Sequence, residues 1–320
     1  MEKVARIKKF DEIISFFDSK LRIPLEKIPE KIKSNTQEIR LRVNKCPAIL
    51  CFEKTYFIDS QGLMHGAPNE KPCELMATFS DIENYLNAVC NYSTYSFQEQ
   101  IKNGFVTIKG GNRIGICGTA IIKNGLVNNI KNITSLNIRI ANEFPDCSLD
   151  IFEKIKLLNG GILIAGPPKS GKTTILRDLA QKISTIPINN KFKKVVIADE
   201  RLEISGTFET APNFDIGFSD VLNGFSKKDA FEIAIRCFSP DTIICDEIGT
   251  NEDINTITES LNAGVQVIAS IHARNLKELQ NRPHALKILK SGAFEKIIFL
   301  ENSFPFGKVK NIYDIGKIDL

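Results

Sequence analysis

A short glycine-bearing run is the clearest sign of chemistry in this sequence. The phosphate-binding pattern G-x-x-x-x-G-K-[ST] is matched at every fixed position by Gly166-Pro167-Pro168-Lys169-Ser170-Gly171-Lys172-Thr173. In such a loop, Lys172 reaches the β- and γ-phosphate oxygens, and the Thr173 hydroxyl ligates Mg²⁺. We therefore expect the stretch from Gly166 to Thr174 to bind ATP together with Mg²⁺.

An apolar run that ends in two acids is typical of the segment that holds magnesium beside a phosphate loop. Thr242–Cys245 is such a run, and Asp246 and Glu247 follow it directly. Asp246 would hold Mg²⁺ through water, and Glu247 would polarise the attacking water. Because a small-molecule kinase does not need the second carboxylate to activate water, the pair favours hydrolysis.

A second acidic end lies between these two motifs. The apolar run Val195–Ala198 leads into Asp199 and Glu200. Ligands of an open parallel sheet bind at the carboxyl ends of its strands, so Glu200 and Glu247 could both reach the γ-phosphate. We favour Glu247 as the catalytic base because it directly follows the predicted metal-binding aspartate. The alternative that Glu200 is the base stays open.

A third apolar run ends in a histidine. His272, one of three histidines in the chain, follows Gln266–Ile271. It either caps its strand by bonding a nearby carbonyl or acts as a sensor that donates a hydrogen bond near the γ-phosphate. Arginines could stabilise charge as well, although each candidate alone is more often a structural or surface residue. The candidates are Arg201, Arg236 and Arg274.

Buried strands alternate with helices in the region that carries these motifs. The predicted strands are Gly161–Ala165, Lys194–Ala198, Asp241–Cys245, Gln266–Ile271 and Lys296–Leu300. The predicted helices are Lys172–Ile183, Lys227–Phe238, Glu252–Ala263 and Pro283–Ser291. This alternation predicts an α/β domain with a parallel-sheet core over residues 146–320.

Residues 1–145 are predicted to form a smaller α+β domain. Its predicted strands are Thr36–Val43, Pro47–Phe52, Gly104–Lys109, Arg113–Cys117 and Leu136–Ile140. Ser80 and Glu83 stand at the spacing of a capping box and predict a helix through Cys90. Gly110-Gly111-Asn112 between two strand-like runs predicts a hairpin.

Composition limits the kind of protein. The chain has 320 residues, enough for two domains, and its 42% hydrophobic and 25% charged content is that of a soluble globular protein. A net charge of +4 does not by itself indicate nucleic-acid binding. No apolar run approaches the ~18 residues that span a bilayer, and no signal-peptide core follows the N-terminus, so we expect a cytoplasmic protein. Eight cysteines without a C-x-x-C pair indicate neither zinc nor disulfides.

The motifs and several N-terminal runs together resemble the stage III sporulation protein AA family, RecA-like ATPases related to secretion-type ATPases. In the C-terminal region the resemblance lies in Gly166–Thr173, Asp199–Arg201, Ile235–Asp241, Asp246–Gly249 and Ile271–Ala273. In the N-terminal region it lies in Glu38–Val43, Gly104–Ile108, Arg113–Gly115 and Ser135–Ile140. The resemblance covers nearly the whole chain.

The resemblance implies a cytoplasmic ATPase that could also lie at the membrane as a peripheral protein through protein partners, and that powers a secretion-like channel during endospore formation. It implies a RecA-like fold for the P-loop domain, a hexameric ring with ATP at the subunit interfaces, and integral-membrane proteins of a sporulation channel as partners. By the same analogy, the segment at Asp199 and Glu200 resembles the aspartate box of secretion ATPases, and His272 resembles their histidine box.

A ring of this kind completes each site with a residue from the neighbouring subunit. A basic side chain of the N-terminal domain, Arg139 or Arg113, could supply that charge in trans. A rival interpretation is a RecA-like ATPase that acts on single-stranded nucleic acid, because the same core serves both kinds of work. Trp is absent and no basic run is interleaved with aromatic residues, so nucleic acid is the less favoured partner.

Overall fold

The computed structural model describes residues 2–51, 54–67, 75–93, 97–158, 160–207, 210–303 and 306–318. Phe52, the last residue of the second predicted strand, lies outside the described residues. The chain divides into two compact units, Met1–Glu143 and Phe144–Leu320. In each unit the described residues form a seven-stranded sheet accompanied by helices.

The first unit begins with three short helices that the sequence-based interpretation missed. They are α1 (Glu2–Ile14), α2 (Ser19–Glu26) and α3 (Glu30–Lys33). In α1 the buried Phe10 lies three and four positions before the buried Ile13 and Ile14, a helical spacing that the sequence-based interpretation did not use. The Asp18 side chain caps α2 by accepting the backbone N–H of Leu21.

An antiparallel sheet forms the rest of the first unit. Its strands are β1 (Thr36–Arg42), β2 (Ala48–Cys51), β3 (Thr55–Ile58), β4 (Met64–His65), β5 (Phe105–Ile108), β6 (Asn112–Lys123) and β7 (Leu126–Arg139). The spatial order is β4-β3-β2-β1-β7-β6-β5. The predicted hairpin is confirmed, since β5 and β6 pair antiparallel around a turn at Lys109–Gly111. The strands β6 and β7 are longer than predicted.

Two helices, α4 (Phe79–Val89) and α5 (Gln98–Lys102), complete the first unit. The helix predicted near Ser80 is present, but its predicted capping box is wrong. Thr78 and Asp81 form the box instead, each side chain accepting the other residue's backbone N–H. Both pairs have the required three-residue spacing, and the helix that begins after Thr78 buries Ile82, Tyr85 and Leu86 in the core.

The second unit is built on a mostly parallel sheet. Its strands are β8 (Gly161–Gly166), β9 (Val195–Asp199), β10 (Asp220–Asn223), β11 (Thr242–Cys245), β12 (Gln266–His272), β13 (Phe294–Leu300) and β14 (Val309–Asp314). The order is β10-β9-β11-β12-β8-β13-β14, and only the β13–β14 pairing is antiparallel among these strands. The five predicted strands are confirmed, and the edge strands β10 and β14 were not predicted.

Helices cover both faces of this sheet, and a hydrophobic core lies on each face. They are α6 (Leu149–Ile155), α7 (Lys172–Thr185), α8 (Lys227–Ile233), α9 (Asn251–Asn262), α10 (Leu276–Gln280) and α11 (Pro283–Lys290). Within β8, Ile162 and Ile164 belong to the core with α6 and α7, whereas Leu163 and Ala165 belong to the core with α8, α9 and α11. Burial on both faces is why such strands read as continuous apolar runs. A π-helical turn, Ala234–Phe238, extends α8.

The sequence led us to expect neither a membrane-spanning helix nor a disulfide. Within the described ranges, no helix combines the length and apolar character needed to cross a bilayer. Cys46 is disulfide-bonded, so the expectation of a chain without disulfides is wrong at this residue. The cysteine spacings of the sequence gave no signal for this bond.

Candidate active site

The phosphate loop connects the end of β8 to the start of α7. Gly171 has φ +88°, and Lys169 also has a positive φ, of +65°. A Cβ on Gly166 would lie 2.4 Å from the Ser170 Oγ, so the turn needs glycine there. The Ser170 Oγ is buried and has no hydrogen-bond partner among the described residues. An unsatisfied buried hydroxyl inside this loop fits an anionic ligand that accepts a hydrogen bond.

Lys172, the first residue of α7, is buried and directs its ammonium group into the site. Its Nζ lies 3.0 Å from the carbonyl oxygens of both Gly166 and Pro167 and 2.9 Å from His272 Nδ1. Burial lowers the pKa of Lys172, although the charges of Asp246 and Glu247 act in the opposite direction. The ammonium therefore stands beside the loop with its protons directed at three acceptors.

His272 joins this lysine to the second acid of the β11 end. Because a lysine ammonium only donates, the Nδ1 of His272 acts as acceptor and the ring proton resides on Nε2. That Nε2 lies 3.4 Å from Glu247 Oε2. The His272 carbonyl accepts a hydrogen bond from Arg282 Nη1 at 2.6 Å. The backbone of His272 is thus fixed by Arg282, and its ring lies in the site between Lys172 and Glu247.

The residues expected to hold magnesium lie together. Thr173 Oγ1 donates to Asp246 Oδ2 at 3.0 Å, and Ser270 Oγ donates to Asp246 Oδ1 at 2.7 Å. The hydroxyl and carboxylate oxygens of Thr173 and Asp246 are ligands that suit Mg²⁺. Ser270 was not predicted as a site residue. Its position two residues before His272 on a strand, and so on the same face, is the signal that could have found it.

Glu200 occupies a different position from Glu247. It follows β9, which neighbours β11, and its Oε2 lies 3.1 Å from Lys227 Nζ. Burial alone would lower the pKa of Lys227, but Asp253 and Glu200 outweigh that effect and raise it. Among the described contacts, Glu200 has none with Lys172 or Asp246.

Asp199, the other acid of the β9 end, organises a loop. Its carboxylate accepts the backbone N–H groups of Glu203, Ile204 and Ser205, and the Ser205 hydroxyl at 2.6 Å. The side chain is 1% exposed. A buried carboxylate with this many donors fixes the chain that follows Glu200.

The two arginines expected to complete the site of a neighbouring subunit lie in the first unit. Arg139 and Arg113 face each other across β7 and β6. Arg139 Nε lies 3.3 Å from Glu38 Oε1, and the Arg113 guanidinium lies 3.7 Å from the Phe105 ring centroid. Like charges on facing positions destabilise a sheet. The negative charge of Glu38 beside Arg139 partly offsets the repulsion between the two arginines.

A phosphate loop followed by a helix, with acidic and histidine residues at the carboxyl ends of adjoining parallel strands, defines a P-loop protein of the α/β class. Solved structures of ATPases share this fold. The ATPase DotB of Legionella pneumophila matches with a TM-score of 0.53 and 15% identity, over 83% of this chain and 72% of that one. The pilus retraction motor PilT with bound ADP matches with a TM-score of 0.52 and 17% identity, over 82% and 74%.

Sequence comparison defines the family within this class. The model of the family "Sporulation stage III, protein AA" matches residues 7–319. The chain is 34% identical over 308 residues to Stage III sporulation protein AA of Bacillus subtilis strain 168, which covers 95% of both chains. The chain therefore belongs to the sporulation stage III protein AA family.

Proposed function

We propose that this chain hydrolyses ATP with Mg²⁺ and that its turnover drives a secretion-like transport apparatus during endospore formation. The observation that carries the proposal is the continuous set of contacts from Lys172 through His272 to Glu247, beside the Thr173–Asp246 pair. In this proposal these residues would supply a phosphate-binding ammonium, a pair of oxygen ligands for Mg²⁺ and a water-activating carboxylate at one sheet edge.

Each residue has a distinct task in this proposal. The loop from Gly166 to Thr174 binds the phosphates through backbone N–H groups, and Lys172 reaches the β- and γ-phosphate oxygens. Thr173 and Asp246 would hold Mg²⁺, which neutralises charge on the phosphates when bound. Glu247 accepts the proton of the attacking water.

His272 positions the carboxylate of Glu247 in this scheme. Its Nε2–H faces Glu247 and its Nδ1 faces Lys172. Glu200, paired with Lys227, is the alternative base, and its ion pair favours a supporting role in which it orients water. The contact of Glu247 with the histidine is the reason to prefer Glu247.

Two comparisons support the transport part of the proposal. The family is defined by a sporulation protein, and the fold is shared with proteins described as an ATPase and as a pilus retraction motor. We propose a hexameric ring in which Arg139 or Arg113 reaches the site of a neighbouring subunit, and a peripheral position at the membrane through integral-membrane partners.

The catalytic part is tested by measuring Mg²⁺-dependent release of phosphate from ATP. We expect Lys172→Ala to abolish turnover, and Glu247→Gln to abolish it while ATP still binds. Glu200→Gln should reduce turnover less. The exposed Glu259 provides a matched control as Glu259→Gln. Normal turnover in Glu247→Gln with loss in Glu200→Gln would reverse the assignment of the base.

The transport part needs a separate experiment. Glu247→Gln with ATP should trap the assembled ring, whose mass analytical ultracentrifugation can measure. Chemical crosslinking in sporulating cells followed by membrane solubilisation should recover the chain with integral-membrane proteins. Turnover stimulated by single-stranded DNA, with no recovered membrane protein, would favour the nucleic-acid alternative instead.

A further inference from the structure

The order of the strands leaves one flank of the phosphate loop for the nucleoside. On one side of β8 lie β12, which ends at His272, and then β11, which directly precedes Asp246. On the other side lies β13. Lys172 and Thr173 face the β12 and β11 side through their contacts with His272 and Asp246. In the proposed nucleotide site the terminal phosphates and Mg²⁺ would lie on that side, which leaves the flank beside β13 for the base.

Two aromatic rings stand on the β13 flank. Phe306 follows β13 in the connection to β14, and a Cβ on Gly171 would lie 2.8 Å from its Cγ. The ring of Phe144 meets that of Phe306 edge to face, with centroids 4.9 Å apart and planes at 90°. Both residues are half-buried. An apolar aromatic wall therefore lies directly against the last glycine of the phosphate loop.

Close packing holds these rings in place. Gly307 has φ +91°, and a Cβ there would lie 1.9 Å from the carbonyl oxygen of Cys147. No side chain fits at that point, so the backbone beside Phe306 lies directly on the segment that follows Phe144. The Cys147 Sγ in turn lies 4.0 Å from the Thr174 carbonyl oxygen in the first turn of α7. The rings and the loop thus belong to one packed region.

We propose that Phe144 and Phe306 form a subsite for the purine base of the nucleotide. The inference rests on the proposed nucleotide function of the loop and adds the element that distinguishes a nucleoside triphosphate from a bare polyphosphate. A planar base contacts aromatic side chains with little dependence on its identity. The subsite therefore strengthens binding of ATP and GTP alike, while the loop binds the phosphates.

Calorimetric binding of Mg-ATP and of Mg-tripolyphosphate to the full chain tests the subsite without relying on turnover. The wild type should bind Mg-ATP about tenfold or more tighter than Mg-tripolyphosphate, the range that one base–aromatic contact supplies. Phe306→Ala and Phe144→Ala should each remove most of that advantage and leave tripolyphosphate binding unchanged. Phe306→Leu keeps apolar bulk against Gly171 and should lose part of the advantage. Phe192→Ala, at a phenylalanine that is 63% exposed, is the matched control.

The possible results separate the subsite from the loop. Equal binding of Mg-ATP and Mg-tripolyphosphate by the wild type overturns the base subsite and leaves the loop's function standing. Equal loss of both ligands in Phe306→Ala and in Phe306→Leu also overturns it, because the ring would then only support the loop. Failure of the wild type to bind either ligand refutes the proposed nucleotide function itself.

Discussion

Replacing Ser270 with alanine removes one hydrogen bond from the carboxylate that we expect to hold Mg²⁺. Ser270 is fully buried on β12, and its Oγ lies 2.7 Å from Asp246 Oδ1, while Thr173 holds Oδ2 at 3.0 Å. Among the contacts of the described residues, the serine hydroxyl bonds Asp246 and no residue of the phosphate loop. Its role is to fix the rotation of the Asp246 carboxylate, so its removal should weaken metal binding more than nucleotide binding.

The size of the effect follows from the charge of the acceptor. A hydrogen bond to a charged group contributes about 1.5–3 kcal/mol, which at about 1.4 kcal/mol per factor of ten corresponds to about 10- to 150-fold. Loss of an outer partner of a metal ligand typically costs about 10- to 100-fold in metal affinity. We therefore expect the Mg²⁺ concentration for half-maximal turnover to rise about 10- to 100-fold in Ser270→Ala.

The assay titrates Mg²⁺ at saturating ATP and records phosphate release. Ser260→Ala is a matched control, because Ser260 is 1% exposed in the same unit and its Oγ donates to the Thr256 carbonyl oxygen at 2.8 Å. That variant loses a buried hydroxyl without touching Asp246. An unchanged Mg²⁺ midpoint in Ser270→Ala, or an equal shift in Ser260→Ala, would refute the reasoning.

Three further predictions concern the glycines Gly171 and Gly264, the carboxylate of Glu38, and the arginines Arg139 and Arg113. Gly171→Ala places alanine at φ +88° with its Cβ 2.8 Å from a neighbouring ring, so calorimetry should show a lower Tm and lost ATP binding. Gly264→Ala, at φ +81° in open space, should cost only the strain of about 1–2 kcal/mol and spare ATP binding. Burial alone would raise the pKa of Glu38, but its arginine partners outweigh it and lower the pKa below 4.5. The stabilisation of the fold by the charged Glu38 is therefore present above pH 4.5 and is lost as the pH falls through the folded pKa. Urea titrations should show that Glu38→Gln lowers the free energy of unfolding by about 1–3 kcal/mol near neutral pH, and that the difference from the wild type shrinks in acid. Arg139→Ala should lower turnover while ATP still binds; unchanged turnover there and in Arg113→Ala would remove the trans-arginine hypothesis.

The fold of the second unit could be predicted because its strands are buried on both faces. Such strands read as unbroken apolar runs, and Gly161–Ala165 and Gln266–Ile271 were located to within a residue or so. The edge strands β10 and β14 lack this signal, since each has a sheet neighbour on one side only. Most of their residues are exposed or half-buried, a pattern that is also typical of loops.

The site was predictable as a set of strand ends and not as a set of contacts. Parallel strands bring their carboxyl ends to one edge, so Thr173, Asp246 and His272 could be expected near one another. The spatial order of strands depends on tertiary packing, which a single sequence does not encode locally. Only that order places β12 between β8 and β11, and this is what sets His272 against Lys172 and leaves Glu200 with Lys227.

In the proposed mechanism, the position of Lys172 would link occupancy of the loop to the carboxylate of Glu247. A lysine ammonium has three protons, and the structure directs it at Gly166, Pro167 and His272. Binding of phosphates by Lys172 therefore has to replace at least one of these contacts. The two carbonyl oxygens belong to the loop itself, whereas the third acceptor is the side chain of His272 on β12, so we expect the contact with His272 to be the one that is replaced. Release of His272 Nδ1 would change the partner that orients its Nε2 toward Glu247, so in the proposed mechanism Lys172 would both bind the phosphates and govern the group that activates water.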